Sequence, residues 1–234
     1  MEFIDFHTHI LPGVDDGSAS VEESLKMLRM EAEQGVDRVV LTPHFYPWQH
    51  TPEPFLERRE AAFALLCEAM EKEQGLPGVI LGGEVHFYKG MCHTAELEKL
   101  TIGGTKYLLV EMPACKWTDE MYRELGDIER NLGLKPIIAH LDRYISPLRT
   151  HGIPERLEEL PFPIQVNAGF FLNRWNGGLA RKLFRRGLVH LIGSDCHNTS
   201  SRPPCMSAAL EKIRQMDKTA LDEVCEMQRI IFDQ

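Results

Sequence analysis

EFIDFHTHILPGVDDGS, residues 2–18, opens with a short apolar run that ends on His7-Thr8-His9 and continues into a loop carrying Asp15 and Asp16. Alternate side chains of an extended strand share a face, so His7 and His9 point the same way and both imidazoles can reach one ion. The spacing alone carries little, because a single buried histidine is more often a hydrogen-bonded structural residue than a ligand. It gains weight from what the rest of the chain repeats.

Further short apolar, β-branched runs lie near residues 37–43, 79–84, 106–111, 135–140, 163–167 and 188–194. With 2–6 they make seven strands, and longer amphipathic stretches separate them. Ser20 and Glu23 have the form of a capping box for a helix that shares Leu25, Leu28 and Ala32 on one face and stops at Gly35. Helical spacing recurs over 53–74, from Thr118 to Gly133, over 178–186, and twice in the tail near 206–216 and 219–231. Strand and helix in alternation predict an α/β fold, a distorted TIM-like barrel of about seven parallel strands with outer helices. No repeat, low-complexity run or linker interrupts it, so residues 1–234 read as one domain.

The metal-capable side chains fall at the downstream ends of these strands. Strand one runs into His7 and His9, strand two into His44, strand three into Glu84, strand four into Glu111, strand five into His140, and strand seven into Asp195-Cys196-His197. In a parallel barrel these ends converge on one mouth, where Asp15 and Asp16 also lie. Burying several carboxylates together without compensating charge is costly, and divalent cations remove that cost. Nitrogen and oxygen ligands without obligatory thiolate suit Mn, Fe or Zn. Arg143 follows His140 and Arg202 follows His197, and a guanidinium fork beside such a cluster favours a phosphate ester over a neutral amide.

The other histidines carry less. His50, His93 and His151 read as solvated or capping residues, and His190 as a packed one. His86 shares strand parity with Glu84 and could line the mouth, but a structural role ranks above that. Bulk properties narrow the rest. With 26 basic and 35 acidic residues the chain carries −9, which disfavours a nucleic-acid partner. No apolar stretch suits insertion into a bilayer and no leader pattern precedes the first strand, which predicts a cytoplasmic protein. Six scattered cysteines without a Cys-x-x-Cys pair suit reduced thiols.

The chain resembles the polymerase-and-histidinol-phosphatase (PHP) superfamily, and within it the bacterial protein-tyrosine phosphatases that act on kinases controlling capsular and exopolysaccharide export. The resemblance rests on DFHTHILPGVDDGS at 5–18, TPH at 42–44, GGE at 82–84, VEM at 110–112, IAHLDRY at 138–144, QVN at 165–167 and GSDCHNTSSRPP at 193–204. It implies three divalent metal ions. His7, His9, Glu84 and Asp195 would hold one, Glu84, Glu111 and His140 a second, and Asp16, His44 and His197 a third, with Arg143 and Arg202 binding phosphate. It also implies a phosphotyrosine protein as substrate, a bacterial tyrosine kinase. Two departures stand out: Asp142 where the pattern has glutamate, and no Asn-Pro step near the C-terminus.

Three other readings compete. Histidinol phosphatase would use the same cluster on an aliphatic phosphate. A metal-binding module without turnover would have no use for the two arginines. Cys196 and Arg202 form Cys-x5-Arg, the spacing of cysteine-dependent tyrosine phosphatases, but His-Asn-Thr-Ser-Ser between them lacks the glycines that let backbone amides cradle a phosphate.

Overall fold

Pro43 and the Gly82-Gly83 pair decide how the strands divide. In the computed structural model, which describes residues 2–146 and 150–232, two of the seven expected strands are each broken in two. The stretch expected at 37–43 becomes β2 (Arg38–Leu41) and, beyond Thr42-Pro43, β3 (His44–Phe45); the one at 79–84 becomes β4 (Gly78–Leu81) and, beyond Gly82-Gly83, β5 (Glu84–His86). Proline offers no N–H to a ladder and glycine weakens one, so both breaks have a local cause.

The remaining strands are β1 (Ile4–Thr8), β6 (Tyr107–Glu111), β7 (Lys135–Ile138), β8 (Gln165–Asn167) and β9 (Leu191–Gly193). All pair in parallel, in the orders β1-β2-β4, β3-β5-β6-β7 and β8-β9. Isolated parallel bridges join Ile138 to Ile164 and Thr8 to Cys196, so the third ladder touches the second on one side and β1 on the other. The breaks move the chain from the first ladder to the second. They thereby set His44 directly opposite Glu84.

Alternate strand residues face two cores. Ile4, Phe6, Val40, Leu109, Ile137 and Leu191 form a small cluster shared by five strands, while Val39, Leu41, Val110, Ile138 and Ile192 join the larger core. Helices α1 (Val21–Glu33), α2 (Pro52–Met70), α3 (Asp119–Leu132), α4 (Ile153–Leu157), α5 (Ala168–Leu172), α6 (Gly177–Arg185), α7 (Met206–Met216) and α8 (Ala220–Phe232) complete the fold. Ile231 of α8 is buried in the small cluster, and Gln228 donates to the Ile4 carbonyl, which is how the tail packs without the Asn-Pro step.

The cap signals act with one change: the Glu23 carboxylate accepts from the Ala19 amide and not from that of Ser20, so the capping box closes one residue early. Ser20 accepts from the Glu23 amide, Thr118 from that of Met121, and Gly133 ends α3 with φ 69°. Helix α1 turns differently from expectation, burying Met27, Leu28 and Glu31 while Leu25 and Ala32 are half-buried. Helix α2 stops at Met70, short of Gly75, and α4 and α5 are too brief to show periodicity in the sequence. No described helix is long and apolar enough to cross a membrane.

Candidate metal centre

The nine metal-capable residues singled out in the sequence gather at one place: His7, His9, Glu111, His140, Asp195 and His197 at or beyond the downstream ends of β1, β6, β7 and β9, His44 and Glu84 as the first residues of β3 and β5 just past the breaks, and Asp16 in the first loop. Two of them sit on backbone that side chains rarely adopt: His140, directly beyond β7 and Ala139, has φ 32°, and Asp195, beyond β9, has φ 54°. Such conformations are held only where the surroundings fix them, and they concentrate at functional sites. Two glycines allow close approach there. A Cβ on Gly17 would lie 2.0 Å from the His9 carbonyl oxygen, and one on Gly193 would lie 2.5 Å from His7 Cβ.

Glu84 is the hub. Its Oε2 lies 3.1 Å from His7 Nε2, 3.4 Å from His9 Nε2 and 2.9 Å from His44 Nδ1, while its Oε1 lies 2.9 Å from His140 Nε2. Asp195 Oδ1 faces the first two imidazoles at 3.8 and 3.5 Å. Glu111 Oε1 is 3.5 Å from His140 Nε2. Asp16, 68% exposed, places Oδ1 3.6 Å from His44 Nε2 and 3.5 Å from His197 Nε2. Their donor atoms fall into compact sets: His7, His9 and Asp195; His44, Glu84 and Glu111; and His9, Asp16, His44 and His197. His9 and His44 therefore stand nearer the junctions between sets than the sequence suggested.

The outer nitrogens show why these imidazoles can serve as ligands. His9 Nδ1 lies 2.6 Å from Asp15 Oδ2, His7 Nδ1 lies 3.2 Å from Gln165 Oε1, and His197 Nδ1 lies 3.0 Å from the Asp195 carbonyl oxygen. Each partner is an acceptor, so each Nδ1 carries the hydrogen. Each ring then turns Nε2 towards the carboxylates, the arrangement of histidines oriented for a metal. Buried His197 Nε2, Glu84 Oε2 and His44 Nδ1 have no hydrogen-bond partner despite these approaches. A cation among them would meet that need, and the donor set suits one.

Electrostatics follow from the same contacts. Burial pushes Glu84 up, but His7, His140 and His44 outweigh it and hold the carboxyl well below its usual range. The same opposition, with His7, His9 and Arg143 against burial, depresses Asp195. Glu111 is brought to about 2 against its own burial by hydrogen bonds from His140 and His86. Burial disfavours charge on His9 and His140, yet Asp15 raises the first well above normal, and Glu111 with Glu84 raises the second to about 9. His197 falls to about 4 through burial and the positive charge of His9 and Arg202. Cation binding would have to displace the protons held on His9 and His140.

The two arginines meet on one carboxylate: Arg143 Nη2 pairs with Asp195 Oδ2, and Arg202 Nη2 lies 2.9 Å from Asp195 Oδ1. Their side chains stay 38% and 40% exposed, so neither guanidinium is consumed by the pair. A cavity of about 350 Å³ opens between them, lined also by Asn167 and Phe170. Asp142 is half-buried and accepts from the Asn167 amide, and it belongs to none of these sets.

Four positioning residues escaped the sequence reading of roles. Asp15 was placed at the mouth without a task. Gln165 and Asn167 end a strand that carries no ligand-type residue, but Gln165 Oε1 also accepts from the His140 amide, and Asn167 Nδ2 donates to Asp195 Oδ2. His86, ranked structural, lies 2.9 Å from Glu111 Oε2 and orients it from the rim. Polar residues at strand ends were the available signal. His190, just before β9, accepts from the Ile164 amide as a packed residue should.

Cys196 is 1% exposed, its Sγ is 3.8 Å from Glu31 Oε1, and burial together with Glu31 and Asp5 pushes the thiol well above its ordinary value. Cys205 lines the cavity beside Arg202, and burial, with Asp5 and Glu31, pushes its thiol up to about 12. All six cysteines are free.

The family model for capsular polysaccharide synthesis, CpsB/CapC, matches residues 3–229. The tyrosine-protein phosphatase CpsB of Streptococcus agalactiae serotype III (strain NEM316) is 28% identical over 220 residues, covering 90% of this chain and 89% of its own. The tyrosine-protein phosphatase YwqE of Bacillus subtilis (strain 168) is 30% identical over 206 residues, covering 85% and 79%. Among solved structures, a chain from the work on YwqE of Bacillus subtilis and CpsB of Streptococcus pneumoniae, described as unique metal-dependent tyrosine phosphatases, superposes with a TM-score of 0.85. It covers 99% of this chain and 95% of that one at 23% identity, a likeness of fold.

Proposed function

Since the chain belongs to the CpsB/CapC family of capsular polysaccharide synthesis, we propose that it is a metal-dependent protein-tyrosine phosphatase whose centre is the cluster around Glu84. The carrying observation is that His7, His9 and His197 each anchor Nδ1 on an acceptor and present Nε2 to a pool of carboxylates.

Three divalent ions, Mn, Fe or Zn, fit the donors: His7, His9, Glu84 and Asp195 for one, Glu84, Glu111 and His140 for another, and Asp16, His44 and His197 for the third. Glu84, with its two oxygens facing different imidazoles, would be shared. When bound, such ions supply Lewis acidity at the phosphoryl oxygens and an acidified water as nucleophile. Arg143 and Arg202 flank the cavity and neutralise the charge that gathers on the phosphoryl group. Asp15, Gln165 and the Asp195 carbonyl keep the imidazoles in one tautomer and orientation. A tyrosine phenol, with a pKa of roughly 10, departs with less protonation than an alkyl alcohol needs, and no residue is assigned as general acid.

The substrate we favour is a phosphotyrosine protein, a bacterial tyrosine kinase of the capsule or exopolysaccharide system, met in the cytoplasm by residues 1–234 acting as one domain. The test is the purified protein supplied with Mn and assayed in parallel on a phosphotyrosine peptide and on histidinol phosphate. Turnover of the peptide, lost on chelation and restored by Mn, supports the reading. Preference for histidinol phosphate, or full activity in a rigorously metal-free sample, refutes it.

A further inference from the structure

In His44-Phe45-Tyr46-Pro47-Trp48 the two-residue strand β3 runs into a turn, and the two strand side chains point to opposite faces. Phe45 turns into the core against Phe55, with ring centroids 5.2 Å apart. His44 turns the other way, towards the centre, and beyond the end of β3 Tyr46 stacks on it before Pro47 and Trp48 enter a turn. The rings then build a column. Tyr46 stacks on His44 at 4.7 Å and 22°, and Trp48 stacks on Tyr46 at 5.0 Å and 28°. His86 meets the Trp48 ring edge-on at 4.7 Å and 84°, and its Nδ1 is 2.9 Å from Glu111 Oε2.

The column therefore runs from His44 in the centre to solvent, with His86, the neighbour of Glu111, bracing its outer ring. A single exposed apolar side chain is ordinary and needs no explanation. Trp48 differs because it is 61% exposed yet held by two ring contacts at the rim of a polar site. Core packing does not account for an indole fixed in place with an outer face open to water.

We propose that the ledge formed by Tyr46 and Trp48 is the wall against which the phenyl ring of the substrate's phosphotyrosine stacks, so that Trp48 determines specificity for aryl over alkyl phosphate. This rests on the tyrosine-phosphatase reading above. A phosphotyrosine ring sits one ester oxygen from phosphorus, so a phosphoryl group at the centre brings the ring to the rim that the ledge forms. Offset stacking and edge-to-face contact, the two geometries already present in the column, are the ones that aromatic pairs prefer.

The test uses probes that cannot be hydrolysed. Metal-loaded protein is titrated calorimetrically with phenylphosphonate and with methylphosphonate, for the wild type, Trp48→Ala and Trp48→Phe. The wild type should bind the phenyl probe about three- to tenfold more tightly than the methyl probe. Trp48→Ala should bring that ratio close to one with methylphosphonate binding unchanged, and Trp48→Phe should restore most of it. The proposal is overturned if the wild type shows no phenyl preference, if Trp48→Ala keeps it, or if Trp48→Ala weakens both probes equally. The readout does not need turnover: absence of phosphotyrosine hydrolysis by the wild type would sink the phosphatase reading, while the ratio still decides the ledge.

Discussion

Asp15 Oδ2 lies 2.6 Å from His9 Nδ1, and the same oxygen accepts the amide of His44 at 2.9 Å. One carboxylate from the first loop thus holds the imidazole of His9 and the backbone of His44, which follow different strands. Its other oxygen accepts from the Gly17 amide, which folds the loop back over His9. Asp15→Asn retains the size and loses the obligate acceptor. Metal affinity should fall by about 10- to 100-fold, as it does when other carboxylates behind metal-binding histidines are lost. Titration with Mn checks this, and an unchanged affinity would show that Asp15 only shapes the loop.

Cys196→Ser separates two phosphatase chemistries. The thiol is buried beside Glu31, away from the cavity, so serine should retain turnover within a few-fold of the wild type. His9→Ala should lose more than about a hundredfold together with metal content. Arg202→Ala should slow either chemistry and serves as the control. A dead serine variant with its full metal content would establish a thiolate enzyme instead.

Gly193→Ala tests whether the floor under His7 must be bare. The new Cβ would come 2.5 Å from His7 Cβ and 2.8 Å from its backbone nitrogen, both held in β1, so the strand has to shift. We expect lost metal content and a destabilisation of about 1–3 kcal/mol, the usual range for overpacking. Melting and elemental analysis read the two effects, and an alanine protein with full metal and wild-type stability would contradict the packing.

Asp5 and Glu31 are buried together behind the centre, and Asp5 Oδ2 and Glu31 Oε2 find no donor. Burial first, then the neighbouring Asp5, pushes Glu31 well above its ordinary value of 4.5. The folded chain therefore holds a proton over a pH range in which the unfolded chain has released it. That contribution to stability is full below about pH 4.5 and is lost as pH rises through the raised value, with a slope of at most about 1.4 kcal/mol per pH unit. Glu31→Gln supplies a permanent hydrogen to Asp5 and should flatten the dependence. Urea midpoints from about pH 5 to about pH 9 decide it; parallel curves for the two proteins would mean that the pair holds no shared proton.

The α/β alternation and the ligand-type residues that strands deliver to one end were legible in the chain without its fold. This was possible because strand periodicity is local and because His7, His9, His44, Glu84, Glu111, His140, Asp195 and His197 follow apolar runs directly. Tertiary structure decided what depends on contact between distant segments. The Pro43 and Gly82-Gly83 breaks shift two strands between ladders and so put His44 opposite Glu84, 40 residues apart in sequence. Asp15, Gln165, Asn167 and His86 acquire their tasks only from neighbours across the mouth, since a polar residue's role is set by the partner that burial brings to it. Glu31 shows the limit most plainly: in a helix an acidic residue reads as solvent-facing, and only packing against Asp5 and Cys196 keeps it inside.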